Sequence, residues 1–184
     1  PTVLSEVGGS WFPSAVLRAT ELIKEGSFEK IVLSRAFDWR RNEPFSAYAT
    51  LHRLRRGNPQ CHTFLVDEDD GVLVGSTPET LLSLFDGSVR SESVAGTTRR
   101  GESASEDASL AEALLTSDKD RREHTAVTAS ILRRLRMVGV LAATSRNAEL
   151  LRLGNVMHLR TPIEGTMPAD RRFLEVAGEL HPTP

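Results

Sequence analysis

The sequence predicts an α+β domain with antiparallel pairing in its strand-rich middle. Two observations carry this expectation. Hairpin signals outnumber crossover signals: Asp70-Gly71 and Asp86-Gly87 each separate short apolar runs, and glycine accepts the positive φ such tight turns demand. Helical stripes of period 3.6 stand on both sides of this strand-rich middle.

Taken in order, Val16, Ala19, Leu22 and Ile23 form a stripe over residues 13–25, which Ser10 precedes and Gly26 stops. Residues 29–37 read as a strand. Alternation puts Lys30, Val32, Ser34 and Ala36 on one face and Ile31, Leu33 and Phe37 on the other, so both faces are expected to be covered. Pro44 to Arg56 reads as a helix, with Pro44 near its first turn, Tyr48, Leu51 and Leu54 inside, and Gly57 at its exit. Four short strands follow at 62–67, 72–76, 80–86 and 88–94. Helices are expected over 105–116 and, from a Ser117 cap, over 118–137. A strand over 150–160, a loop around 162–168 and a helix over 170–180 complete the reading.

For 184 residues with 39% hydrophobic content, one packed domain is the expectation. A net charge of −2 and a pI near 6.3 argue against a nucleic-acid binder, and the arginine pairs are scattered along the chain. A lone cysteine, Cys61, excludes an internal disulfide framework and reads as a small buried residue at a strand start. No apolar run approaches membrane-spanning length and no signal peptide is evident, so a cytoplasmic protein is expected.

Several residues invite chemistry. A lysine in a strand covered on both faces would lose hydration and become a base near neutral pH; snorkelling to solvent is the plainer alternative for Lys30. Glu79 follows Pro78, whose fixed φ makes a rigid loop, and an apolar pocket would raise its pKa into the range of a general acid. An exposed loop acid is the alternative. Glu123 sits at the edge of the stripe formed by Val127, Ile131, Leu135 and Val138. It reads either as the partner of Lys119 one turn earlier or as a ligand for Mg²⁺, which favours one or two carboxylates plus water and substrate oxygens. Gly96 allows backbone N–H groups to approach an anion, and His158 would by default be a hydrogen-bonded core histidine.

Together these motifs resemble the chorismate-utilising enzymes, the anthranilate synthase component I-like family, and most of all its isochorismate synthases. The resemblance rests on the runs around Lys30, Ser76-Thr77-Pro78-Glu79-Thr80, Ala95-Gly96-Thr97, Ser117 to His124, and His158 to Gly165. It implies the chorismate-binding fold, largely antiparallel sheets with helices packed outside, and Mg²⁺ as cofactor. It makes Lys30 the base that activates water, Glu79 the acid at the departing C4 hydroxyl, Glu123 the metal ligand, and Gly96, Thr97 and His158 substrate contacts. Anthranilate synthases carry glutamine at the Lys30 position. Aminodeoxychorismate synthases carry a nucleophilic lysine where this chain has Ala95, so the pair Lys30 and Ala95 implies water as nucleophile. Thr98 stands where the family has an arginine, which leaves Arg99 without an assigned role. The His158 motif resembles siderophore-pathway enzymes more than salicylate synthases.

The resemblance also implies truncation: the chain starts without Met and ends at Glu179 to Pro184 inside a further family motif. The second glutamate ligand for Mg²⁺ is then missing, and these residues alone are expected to be inactive unless another segment or chain completes the site. A salicylate synthase and a non-catalytic binding module remain as alternatives.

Overall fold

Phe12–Lys24 forms the first helix, α1, and its end is fixed by Gly26 at φ +78°, whose N–H reaches the Ile23 carbonyl at 3.0 Å. The structure is a computed structural model and describes residues 2–7, 10–28, 31–40, 42–144 and 147–182, without the side chains of residues 2–7. It divides into two units, residues 1–50 and residues 51–183.

In the first unit, β1 (Thr2–Val7) pairs antiparallel with β2 (Ala36–Arg40). The sequence reading misses β1 and starts the second strand too early. Residues 31–35 lie outside any strand, and every residue of β2 is exposed, so the covering expected on both faces is not found. Arg35 stacks its guanidinium over the Phe12 and Phe37 rings, 5.2 and 4.7 Å from their centroids. Helix α2 (Ala47–Gly57) begins later than Pro44 because Ser46 caps it, accepting from the Ala49 N–H at 3.2 Å; Tyr48 is exposed rather than inside.

In the second unit, β3 (His62–Glu68) and β4 (Gly71–Thr77) form a hairpin of their own. Cys61, just before β3, is half-buried rather than buried. The principal sheet has the order β5 (Ser83–Phe85), β6 (Ser88–Arg99), β9 (Val156–Thr166), β7 (Leu141–Ala143), with β8 (Glu149–Arg152) also paired to β9, all antiparallel. The β5–β6 turn has Asp86 at φ 47° and Gly87 at φ 74°, as a two-residue hairpin loop requires. Strand β9 runs through Pro162, where a loop was expected. Its neighbour β8 pairs residues 157–160 and β7 pairs residues 164–166, so the proline falls in the gap between them.

Helices α3 (Ala104–Thr116), α4 (Asp118–Met137) and α5 (Phe173–Leu180) accompany this sheet. Ser103 and Ser117 cap α3 and α4 by accepting from the Glu106 and Asp120 N–H groups, each at 3.2 Å. The core joins Val127, Ile131 and Leu135 of α4 to Val89 and Ile163 of the sheet and to Val176 and Leu180 of α5. Residues of β9 alternate strictly, odd positions 157 to 163 being buried. The arginines after Thr98 serve structure. Arg99 pairs with Glu106. Arg100 grips Asp107 through two contacts at 2.7 and 3.0 Å and the Leu153 carbonyl at 2.6 Å. That grip holds the Asp107 carboxyl down at about 2.

Among the described residues, no helix is long and apolar enough to cross a membrane.

Candidate active site

Strand β6 organises the candidate residues. Its register against β9 shifts between Ala95 and Thr97, and Gly96 occupies the bulge at φ +79°. A Cβ at Gly96 would stand 3.2 Å from the Asp120 Cβ and 3.3 Å from Leu159 Cδ1, so the first turn of α4 lies directly against the bulge. Asp120 is braced there by the Ser117 hydroxyl, which donates to its Oδ2 at 2.5 Å. Gly96→Val is expected to destabilise the fold by at least about 1–2 kcal/mol, from the left-handed backbone alone, as a lower urea midpoint would show.

Thr97 and His158 face each other in register, with Thr97 Oγ1 2.9 Å from His158 Nδ1. Burial holds the His158 pKa below its ordinary value, the Gly96 carbonyl opposing it, so the ring is neutral near pH 7. His124 is buried, and its Nε2 meets Thr161 Oγ1 at 2.7 Å. Its pKa is also lowered by burial, against the Ala95 carbonyl. Bulge, helix start and β9 thus bring Gly96, Thr97, His158, Asp120 and His124 together. Glu123 sits half-buried on α4 beside His124. Lys119 Nζ lies 3.9 Å from Asp120 Oδ1, a long contact from an exposed lysine and of little energetic weight.

Glu79 occupies the loop between β4 and β5 with its side chain partly buried, and its N–H donates to Thr77 Oγ1 at 3.2 Å. Its pKa is raised, first by burial and second by the negative charge of Glu92. Glu92 itself was not foreseen. It is a buried carboxylate in mid-β6, bound by Arg160 Nε at 2.5 Å and by the Thr80 N–H at 2.8 Å. A mid-strand glutamate reads as solvated until the register shows Arg160 on the neighbouring strand. Glu164, at an exposed position, pairs only loosely with Arg90, at 3.6 Å. Lys30, the expected base, lies outside the described residues.

A cavity of about 560 Å³ is lined by His124, Thr161 and Leu159, and one of about 630 Å³ by Thr80, Glu92, Glu149 and Arg160. Glu79, Gly96, Thr97, Glu123 and His158 line neither.

The family described as "Chorismate binding enzyme" matches residues 3–184. The chain belongs to that family. The chain is 34% identical over 174 residues to the isochorismate synthase EntC of Escherichia coli K12, covering 94% of the chain and 44% of EntC. It is 32% identical over 181 residues to anthranilate synthase component 1 of Aeropyrum pernix, covering 96% of the chain and 40% of that protein. Its fold matches the menaquinone-specific isochorismate synthase MenF of E. coli with a TM-score of 0.85 at 30% identity, over 99% of the chain and 43% of MenF. The chain therefore spans less than half the length of these relatives.

The donor chemistry of the site suits Mg²⁺ in kind, since Glu123 offers carboxylate oxygens, the hard ligands this ion takes. Among the described residues no group of three or more His, Cys, Asp or Glu is placed to hold a metal.

Proposed function

We propose that these residues belong to an isochorismate synthase, which converts chorismate to isochorismate with Mg²⁺ as cofactor. The observation that carries the reading is Glu79, a carboxyl on a proline-stiffened loop whose surroundings favour the protonated form. The likeness to EntC and MenF supports the same reaction. Lys30 takes a proton from water, and the water oxygen bonds to C2 of the ring. The ring double bonds shift, the C4–oxygen bond breaks, and Glu79 gives its proton to the departing hydroxyl, which leaves as water. Gly96 and Thr97 meet the substrate carboxylate, with the neutral His158 ring alongside. Mg²⁺ bound through Glu123 would neutralise the ring carboxylate.

Because the chain covers under half of its relatives, we propose that a complementing polypeptide segment completes the site and that the 184 residues alone are inactive. Exposed Phe85 and Leu174 leave apolar surface for such a segment. A cytoplasmic role supplying a catechol siderophore goes with the reading.

The test is chromatography of chorismate incubated with Mg²⁺ and the longest polypeptide that the gene encodes. Isochorismate is the expected product. Salicylate would make the protein a salicylate synthase, and no turnover at all would leave a binding module.

A further inference from the structure

Buried carboxylates are costly: moving an ion out of water costs several kcal/mol unless partners compensate. Glu92, with its side chain 9% exposed, stands in mid-β6 and has both oxygens engaged. Oε2 takes the Arg160 Nε–H at 2.5 Å, and Oε1 takes the Thr80 N–H at 2.8 Å. Arg160 is braced in turn by Glu149 Oε1 at 3.5 Å, across the β8–β9 register. The amide that Glu92 holds belongs to the residue after Glu79, while the Glu79 amide is held by Thr77. Both peptide groups flanking the Glu79 side chain are thereby fixed, one of them by a charge anchored in the sheet.

We propose that the Glu92–Arg160 pair is a positioning device for Glu79: it locks the loop through the Thr80 amide and sets a second negative charge against the Glu79 carboxyl, so that the acid is held in place and loaded with its proton. The proposal rests on the reading of Glu79 as the general acid. Arg160 pairs with Glu92 at 2.5 Å and with Glu149 at 3.5 Å, and of these three groups it is the Glu92 carboxylate whose charge acts on Glu79. Burial and that carboxylate both act to keep Glu79 protonated. In the step itself, the Glu79 O–H bond breaks and its proton joins the C4 hydroxyl oxygen, which departs with the electron pair of the C4–oxygen bond. The ionised Glu79 then faces Glu92 as a like charge, which favours its reloading.

The experiment titrates the Glu79 carboxyl carbon by NMR in the ¹³C-glutamate-labelled chain, its signal assigned by its loss in Glu79→Gln. Glu92→Gln keeps an acceptor for the Thr80 amide and removes the charge, so the Glu79 midpoint is expected to move down. A midpoint that stays where it is overturns the proposal. Should Glu92→Gln fail to fold, the double variant Glu92→Leu with Arg160→Leu removes the pair without stranding a buried charge, since Glu149 is 43% exposed. There the midpoint is expected to fall and the Thr80 amide to lose its protection from hydrogen exchange; retention of either overturns the proposal. Neither readout needs turnover. Failure of the isochorismate synthase reading would show separately, as absence of isochorismate from the unsubstituted protein.

Discussion

Glu79→Gln is expected to lower chorismate turnover by about 10²–10⁴-fold, the usual worth of a positioned proton donor. Glutamine matches the size of glutamate but cannot give up a proton, so the C4 hydroxyl would have to leave as hydroxide. Chorismate affinity should change far less, since the main binding contacts proposed for the substrate are elsewhere, at Gly96, Thr97 and His158. The pH profile gives the sign. A general acid works in its protonated form, so turnover should decline as pH rises through the elevated Glu79 pKa, and the variant should lack that limb. Stability supplies a reading independent of activity. A carboxyl whose folded-state pKa is raised contributes stability that is fully present below its unfolded value, 4.5, and lost as pH rises through the folded value. Between those limits the native chain should lose stability relative to Glu79→Gln. Urea midpoints for both proteins at pH 4 and pH 7 measure this, and an equal difference at the two pH values would remove Glu79 as an acid. Full turnover in the variant would remove it from the mechanism.

What could be read from the sequence was local. Ser117 and the stripe it opens give α4 its bounds, because a cap and a period are written in neighbouring residues. Asp86-Gly87 specifies its turn for the same reason. The failures are failures of long-range pairing. Residues 29–37 alternate as a strand does, but the ladder starts at Ala36 because its partner is β1, whose last residue, Val7, stands 29 positions earlier, and nothing in the alternation marks where that partner ends. Pro162 looks like the end of a strand; it is tolerated because β8 and β7 stop on either side of it, which only the register shows. The candidate site divides in the same way. Gly96, Thr97, Glu79, Glu123 and His158 were legible as motifs. The pair that surrounds Glu79 was not, since Glu92 and Arg160 are 68 positions apart and each alone resembles a surface charge.

Leu135→Ala is expected to cost about 2–5 kcal/mol, a large part of the roughly 5–15 kcal/mol that holds a domain folded. Leu135 is fully buried near the end of α4, inside the cluster formed with Val89 and Ile163 of the sheet and Val176 and Leu180 of α5. Truncation removes its transfer free energy and leaves a cavity that three different elements would have to close together. Leu141→Ala is the matched control: the same atoms are deleted from a side chain 82% exposed, so the change should stay within about 0.5 kcal/mol. Urea midpoints of the two variants decide between them, and equal losses would mean that α4 does not pack on β6 and β9 as described. The same helix carries Asp120, Glu123 and His124 at its other end, where Asp120 closes on the Gly96 bulge and His124 reaches Thr161. A lever 20 residues long that is loosened at Leu135 is still pinned at the bulge. The His124–Thr161 contact should therefore persist in Leu135→Ala under native conditions, seen as an unchanged His124 ring signal by NMR, even as the midpoint falls.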